Sequence, residues 1–207
     1  MILDKELTDK LDQIQISKRS GSVDVENPTS YKILGKGHQG AVFQIDDNRC
    51  VKIYCRSQDI ERELHSLKLG AQVGICPQVF FSGDNFIVME YMNYPTVLEY
   101  LENHPINKEL TAKLVELLDL FEKAGYNRFD HSLRHIYLVP DDKLKIIDVV
   151  HMIKAQPVNL AKKIISEMGA NAEDFIHFVQ EISPKWYNRW KNDANFPDLI
   201  AKVKGTV

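Results

Sequence analysis

Apolar positions follow two rhythms along this chain, and the change of rhythm divides it. Up to about Met92 the apolar runs are short and mostly alternate, which is the strand pattern. Pro28 and Thr29 lead into a first strand, followed by Ala41-Val42-Phe43-Gln44-Ile45, Cys50 to Tyr54, Val79-Phe80-Phe81 and Phe86-Ile87-Val88-Met89. Turns are predicted at Asp46-Asp47-Asn48 and Gly83-Asp84-Asn85, whose residue types favour chain reversal. One helix interrupts this region: Ile60, Leu64, Leu67 and Ala71 make an apolar stripe over Asp59 to Gln72.

Beyond Met92 the helical spacing dominates. Thr96 to Glu102 predicts a short helix. Leu110, Leu114, Leu117, Leu118 and Phe121 predict a long one, from an N-cap at Asn107 to a stop at Gly125. Residues 159–168, 172–182 and 197–204 read as further helices, with Pro184 as a stop and Trp186, Tyr187 and Trp190 packing the C-terminal end onto the core. A single hairpin breaks the pattern, with its turn at Pro140-Asp141-Asp142; Asp130 precedes its first strand and Asp148 ends its second. At the other end, Leu7, Leu11 and Ile14 predict a short helix over residues 4–14, and Lys18-Arg19-Ser20-Gly21-Ser22 reads as a linker. Ser17, Ser20 and Ser22 are either phosphorylation sites or ordinary loop serines.

The chemistry concentrates in Leu34 to Ile53, LGKGHQGAVFQIDDNRCVKI. Gly35, Gly37 and Gly40 let a turn lay its backbone N–H groups against phosphates, because no Cβ holds the chain away. Lys52, one hairpin later, can reach the same phosphates. The residues after Gly40 are β-prone, so the glycines sit on a hairpin and do not open a helix as in a dinucleotide fold. Glu63 lies at the edge of the helical stripe. A carboxylate turned inward needs a partner, and Lys52 is the obvious one; the other reading is a surface glutamate.

Composition narrows the function classes. The 207 residues are 44% hydrophobic and 27% charged, as in a globular protein of one two-lobed domain or two small ones. A net charge of −3 calls for neither nucleic acid nor an anionic membrane. The opening MILDKELTDKLDQ has no apolar core of signal-peptide type, and no run is long enough to span a bilayer. Cys50, Cys55 and Cys76 are odd in number and lack metal-site spacing, which fits a reduced, cytoplasmic chain.

The order of these parts resembles a protein kinase core over about residues 31–150. More narrowly it resembles the small bacterial kinase-like proteins of the YrzF-like group and the compact RIO-type and lipopolysaccharide-kinase-like atypical kinases. That resemblance implies an α+β, bilobal fold: an N-lobe of antiparallel sheet plus helix C, and a reduced, mostly helical C-lobe. The expected boundaries are 1–28 for the N-terminal helix and linker, 29–92 for the N-lobe and hinge, and 93–207 for the C-lobe. It implies ATP with Mg2+ or Mn2+, and transfer of the γ-phosphate to a hydroxyl, as in a serine/threonine protein kinase; a small-molecule hydroxyl acceptor stays open. The turn Gly35-Lys36-Gly37-His38-Gln39-Gly40 then covers the phosphates, Lys52 holds them and Glu63 orients Lys52. Val42 and Cys50 line the adenine pocket above, Tyr137 below; Met89 is the gatekeeper, and Glu90, Tyr91 and Met92 form the hinge. Asp130 accepts the nucleophile's proton and Asp148 binds the metal.

Departures from the family pattern point to a second reading. His135 stands where a metal-binding asparagine is expected, so it either ligates the metal beside Asp148 or hydrogen-bonds Asp130. Arg128 and Phe129 replace the histidine and arginine before the catalytic aspartate, and Asp148-Val149-Val150 stands for D-F-G. The segment His151 to Pro157 is short and no A-P-E follows. The alternative is a pseudokinase, a nucleotide-regulated binding module.

Overall fold

The alternating segments between Lys32 and Glu90 pair into one antiparallel sheet, while the helical segments beyond Met92 belong to a second unit. The computed structural model describes residues 5–204. Its contacts form two compact units. One comprises the residues up to His65 together with Gln78–Met92; the other comprises Ser66–Pro77 and the residues from Asn93 onward.

The first unit opens with α1 (Lys5–Leu11) and a hairpin of β1 (Gln15–Lys18) and β2 (Val23–Glu26). The polar stretch at 18–22, expected as a linker, is the turn of this hairpin. Its polarity fits a β-turn as well as a linker, and Gly21 takes the left-handed φ of +92° that such a turn uses. There follow β3 (Lys32–Lys36), β4 (Gly40–Gln44), β5 (Arg49–Tyr54), α2 (Ser57–Gln72), β6 (Val79–Ser82) and β7 (Phe86–Glu90). The residues of α2 up to His65 belong to this unit. The sheet order is β3-β4-β5-β7-β6.

Strand alternation sorts this sheet into two chemically different faces. Ala41, Phe43, Val51, Ile53, Phe86 and Val88 face one way and join Leu7, Leu11, Ile14 and Val23 in a single buried cluster. The N-terminal helix and hairpin therefore complete a core that the five strands leave half covered. The residues between them, Val42, Cys50, Lys52, Ile87 and Met89, share the opposite face. Register pairs Val42 with Lys52, Lys52 with Ile87, and Cys50 with Met89.

The second unit begins with α3 (Val97–Leu101), started by a capping box in which Thr96 accepts from the Glu99 amide and Glu99 accepts from the Thr96 amide. In α4 (Lys108–Lys123) Asn107 is the N-cap, accepting from the Leu110 amide at 2.8 Å. Leu110, Leu114, Val115, Leu117, Leu118 and Phe121 supply the buried stripe of α4. A 3-10 turn, Leu133–His135, leads into the hairpin of β8 (Ile136–Val139) and β9 (Lys143–Ile146). Its three-residue tip, Pro140 to Asp142, closes with Asp141 and Asp142 at left-handed φ values of 60° and 62°, a region that aspartate enters more readily than most residues.

α5 (Lys162–Glu167), α6 (Ala172–Ile182), α7 (Pro184–Lys191) and α8 (Phe196–Lys204) follow. Two of these differ from the sequence pattern. α5 starts three residues later than its apolar spacing suggests, because the Lys163 amide, in its first turn, is taken by the Asp130 carboxylate. Pro184 begins a helix as well as ending one: at the first helical position its missing N–H costs nothing, and Ser183 caps the start. Trp186 and Trp190 of this extra helix are fully buried, with the Trp186 indole donating to Asp119 at 2.9 Å. No helix of the described residues is long and apolar enough to cross a membrane.

Candidate active site

In the first unit, β5 delivers Lys52 to the sheet face away from the core. Its Nζ donates to Glu63 Oε2 at 2.6 Å, and the Tyr54 hydroxyl donates to the same oxygen at 2.8 Å. Lys52 is 12% exposed and Glu63 only 2%. Glu63 reaches inward because it sits three residues after buried Ile60 and four before buried Leu67 on α2. Tyr54 gave no warning in the sequence, being one more β-prone residue at a strand end.

The glycine turn joins β3 to β4. Its Gly37 amide donates to the Gly40 carbonyl at 2.9 Å, while the Gly37 and Gln39 carbonyls accept from the Val23 and Cys55 amides. The His38 and Gln39 amides have no protein acceptor among the described residues. The three glycines are not equivalent. A Cβ on Gly40 would lie 1.9 Å from the Ile53 carbonyl oxygen, so β4 and β5 pair only with glycine there. At Gly35 and Gly37 a Cβ would meet nothing within 4 Å. Lys36 and His38 on the turn are exposed, and Gln39 is half-buried.

Val42, Cys50 and Met89 share the sheet face of Lys52. Burial pushes the Cys50 thiol up to about 12, so it stays protonated and is not a nucleophile. After β7 the chain is tied down: the Glu90 amide donates to Gln78 and the Tyr91 amide to Asn48, both at 2.8 Å. The Met92 amide has no protein partner among the described residues.

In the second unit, Asp130 is held at both oxygens. The Lys163 amide donates to Oδ1 at 2.5 Å, and Arg128 Nη2 lies 3.5 Å from Oδ2, with Arg128 Nε donating to the Asp130 carbonyl at 3.0 Å. Asp148 is exposed and has a left-handed φ of 58°, a conformation that a non-glycine residue holds only under constraint. The residue before it supplies that constraint. The Ile147 amide donates to the His135 carbonyl at 3.1 Å, and the Ile147 carbonyl accepts from His131 Nε2 at 3.0 Å. A carbonyl can only accept, so His131 Nε2 carries the proton. Burial, reinforced by His135, pushes the His131 imidazole down to about 3, so it stays neutral. His131 went unnoticed in the sequence because its partner is sixteen residues away. Glu167 was missed for the same reason. It accepts from the Ser132 hydroxyl at 2.9 Å and the Leu133 amide at 2.6 Å, and so braces the turn that carries His135.

His135 Nδ1 lies 3.7 Å from Asp148 Oδ2. Burial, with the charges of Arg134 and Lys163, lowers the His135 pKa against the pull of Asp148 and Glu167. A neutral imidazole beside a carboxylate can ligate a divalent ion. Among the described residues no group of three or more ligating side chains forms. Two donors fit an ion whose shell is completed by phosphate and water, and the imidazole suits manganese better than magnesium. Tyr137 stands on β8, where it forms a bridge with Thr96.

The chain is 25% identical over 130 residues to a protein of Bacillus subtilis (strain 168) that carries the provisional name serine/threonine-protein kinase YrzF. This fold is protein-kinase-like. The match covers 60% of the kinase-like chain and 60% of its relative. No protein-family model matches. Two solved structures are similar over part of their length. One is the streptomycin–ATP–APH(2″)-IIa ternary complex, 19% identical, covering 59% of this chain and 40% of that one at a TM-score of 0.38. The other is WbdD with a kinase inhibitor, 14% identical, covering 90% of this chain and 47% of that one at a TM-score of 0.47.

Proposed function

We propose that the chain is an ATP-dependent phosphotransferase that moves the γ-phosphoryl group to a hydroxyl. The observation that carries this reading is the Lys52–Glu63 pair. A buried ion pair is a poor source of stability, and this one stands on the sheet face that also presents Val42, Cys50 and Met89. Lys52 would hold the α- and β-phosphates, with the His38 and Gln39 amides of the glycine turn as further donors. The Met92 amide would hydrogen-bond adenine. Asp148 and His135 are the residues that would hold a divalent ion, which when bound neutralises phosphate charge. Asp130 would orient the acceptor hydroxyl and take its proton. Most of the rate gain would come from placement. A serine or threonine side chain is the acceptor class that the relative's name suggests.

One observation favours the second reading, a nucleotide-regulated binding module. Both oxygens of Asp130 already have partners within the protein, which competes with proton acceptance. Incubation with γ-labelled ATP and magnesium or manganese, beside Asp148→Asn, decides between them. An enzyme releases or transfers label and the variant does not. Equal turnover by both proteins removes Asp148 from the site, and no turnover by the parent leaves the binding module.

A further inference from the structure

The surroundings of Asp130 bear on which acceptor it serves. We propose that the acceptor is a small anionic alcohol, a phosphate monoester with a free hydroxyl, read by Arg128 and Lys163. This inference rests on the phosphotransfer reading and specifies its acceptor.

The charge around Asp130 departs from that of the chain. The protein is acidic overall, with a net charge of −3, yet residues 149–166 contain no aspartate or glutamate and carry Lys154, Lys162 and Lys163. This stretch is fastened to the residues leading into Asp130. The Asn127 and Arg128 amides donate to the Met152 carbonyl at 3.1 and 3.2 Å, and the Phe129 amide donates to the Val158 carbonyl at 2.9 Å. The Asn127 side chain both donates to and accepts from the Lys154 backbone, at 2.8 and 2.7 Å. The Lys163 amide then closes on Asp130 itself.

Arg128 is the fixed part of this cationic set. Its side chain is 20% exposed, and contacts to the Asp130 carbonyl and carboxylate hold its guanidinium in place. A guanidinium has five N–H donors in a rigid fork; Asp130 takes one in a hydrogen bond to its carbonyl and draws Nη2 to within 3.5 Å of its carboxylate. The remaining donors lie beside the carboxylate that receives the acceptor hydroxyl. Exposed Arg134 belongs to the same turn as His135, and its charge and that of Lys163 are both felt at that imidazole. Among the acids nearby, Glu167 is spent on Ser132 and Leu133, which leaves Asp130 and Asp148 for the reaction. A cationic acceptor would meet like charge here; an anionic one finds a fork and a lysine.

The same hydrogen bonds argue for a small acceptor. A peptide docks most readily by adding a strand to unpaired backbone. Here the Met152, Lys154 and Val158 backbone groups are already paired with residues 127–129. In the transfer, the acceptor oxygen bonds to the γ-phosphorus and the bond from that phosphorus to the β,γ-bridging oxygen breaks. ADP leaves, and the hydroxyl proton passes to Asp130 and then to water.

The full chain is tested with ATP and four probes: glucose 6-phosphate, glucose, glucosamine and an acidic serine peptide, with glycerol 3-phosphate against glycerol as a second pair. The expected result is that kcat/KM favours each phosphate ester over its neutral parent by about tenfold or more, the worth of one charge-assisted bond. Lys163→Glu, which keeps the backbone amide on Asp130, and Arg128→Gln should each erase most of that ratio. Preference for glucose or glucosamine overturns the proposal, and use of the peptide alone overturns its small-molecule half. A binding measurement separates this inference from the reaction. Saturable shifts of the Lys163 amide and Arg128 Nε resonances with either ester at about millimolar concentration support it even without turnover. Absence of any such shift sinks it, whatever the ATP chemistry shows.

Discussion

Glu63→Ala tests the carrying observation most directly. It removes one member of an ion pair whose carboxylate is 2% exposed and whose ammonium is 12% exposed. Leaving a buried charge unpaired costs about 3–5 kcal/mol. The Tyr54 hydroxyl also loses its bond to Glu63, worth about 1 kcal/mol. For a chain of this size the melting temperature should fall by roughly 10 °C or more. The double variant Lys52→Met with Glu63→Leu removes both charges and fills the space with apolar groups. It should recover all but about 1 kcal/mol of the loss, because such replacements are often neutral or stabilising. Phosphotransfer should vanish in both. Trp186 and Trp190 both lie in the second unit, so tryptophan fluorescence reports there. Urea unfolding followed by far-UV circular dichroism, with hydrogen exchange at the β5 amides, reads the first unit. A double variant as unstable as Glu63→Ala would refute the reasoning: the pair would then be a structural tie, and its presence would say nothing about phosphate.

Three further outcomes are expected. Gly40→Ala should cost about 2–3 kcal/mol, because its Cβ meets the Ile53 carbonyl, whereas Gly35→Ala and Gly37→Ala should stay within about 0.5 kcal/mol; thermal melts of the three show it, and equal losses would reject the distinction. Asp148→Gly should raise stability by up to about 1 kcal/mol, since glycine accepts the φ of 58° without strain, while abolishing turnover; a destabilised variant would mean the carboxylate supports the fold. Because burial lowers the His131 pKa, the unfolded chain takes up that proton first: the contribution is complete above about pH 6.5 and declines by about 1.4 kcal/mol per pH unit as pH falls toward 3. Urea midpoints from pH 7 to 5 should show the decline, and His131→Gln should flatten it by one proton's share; an unchanged slope places the uptake at another group.

What could be read in the sequence follows from the range of the interactions that decide it. The five strands, α2 and α4 are set by local periodicity, and the structure keeps each of them. Glu63 was legible because a helix converts sequence spacing into facing; Val42, Cys50 and Met89 were singled out by the resemblance to a kinase core, and strand register then puts them on one sheet face. The failures have a different cause. Residues 15–26 form a hairpin whose apolar members, Ile16, Val23 and Val25, are too few to signal a strand; their weight comes from packing on Phe43 and its neighbours. α5 begins late because a carboxylate 33 residues earlier captures its amide. The candidate residues of the second unit depend almost wholly on such long-range bonds: His131 to Ile147, Glu167 to Leu133, Lys163 to Asp130. Asp130 and Asp148, the carboxylates proposed to act in transfer, could be picked out from the order of motifs. What holds them could not, since a buried histidine and a bracing glutamate look like any other polar residues until the chain folds. The groups that fix Asp130 and Asp148 are therefore where this chain is free to differ from other kinase-like folds. An acceptor specificity peculiar to it is most economically written there, in Arg128 and Lys163, and not in the glycine turn or the Lys52–Glu63 pair.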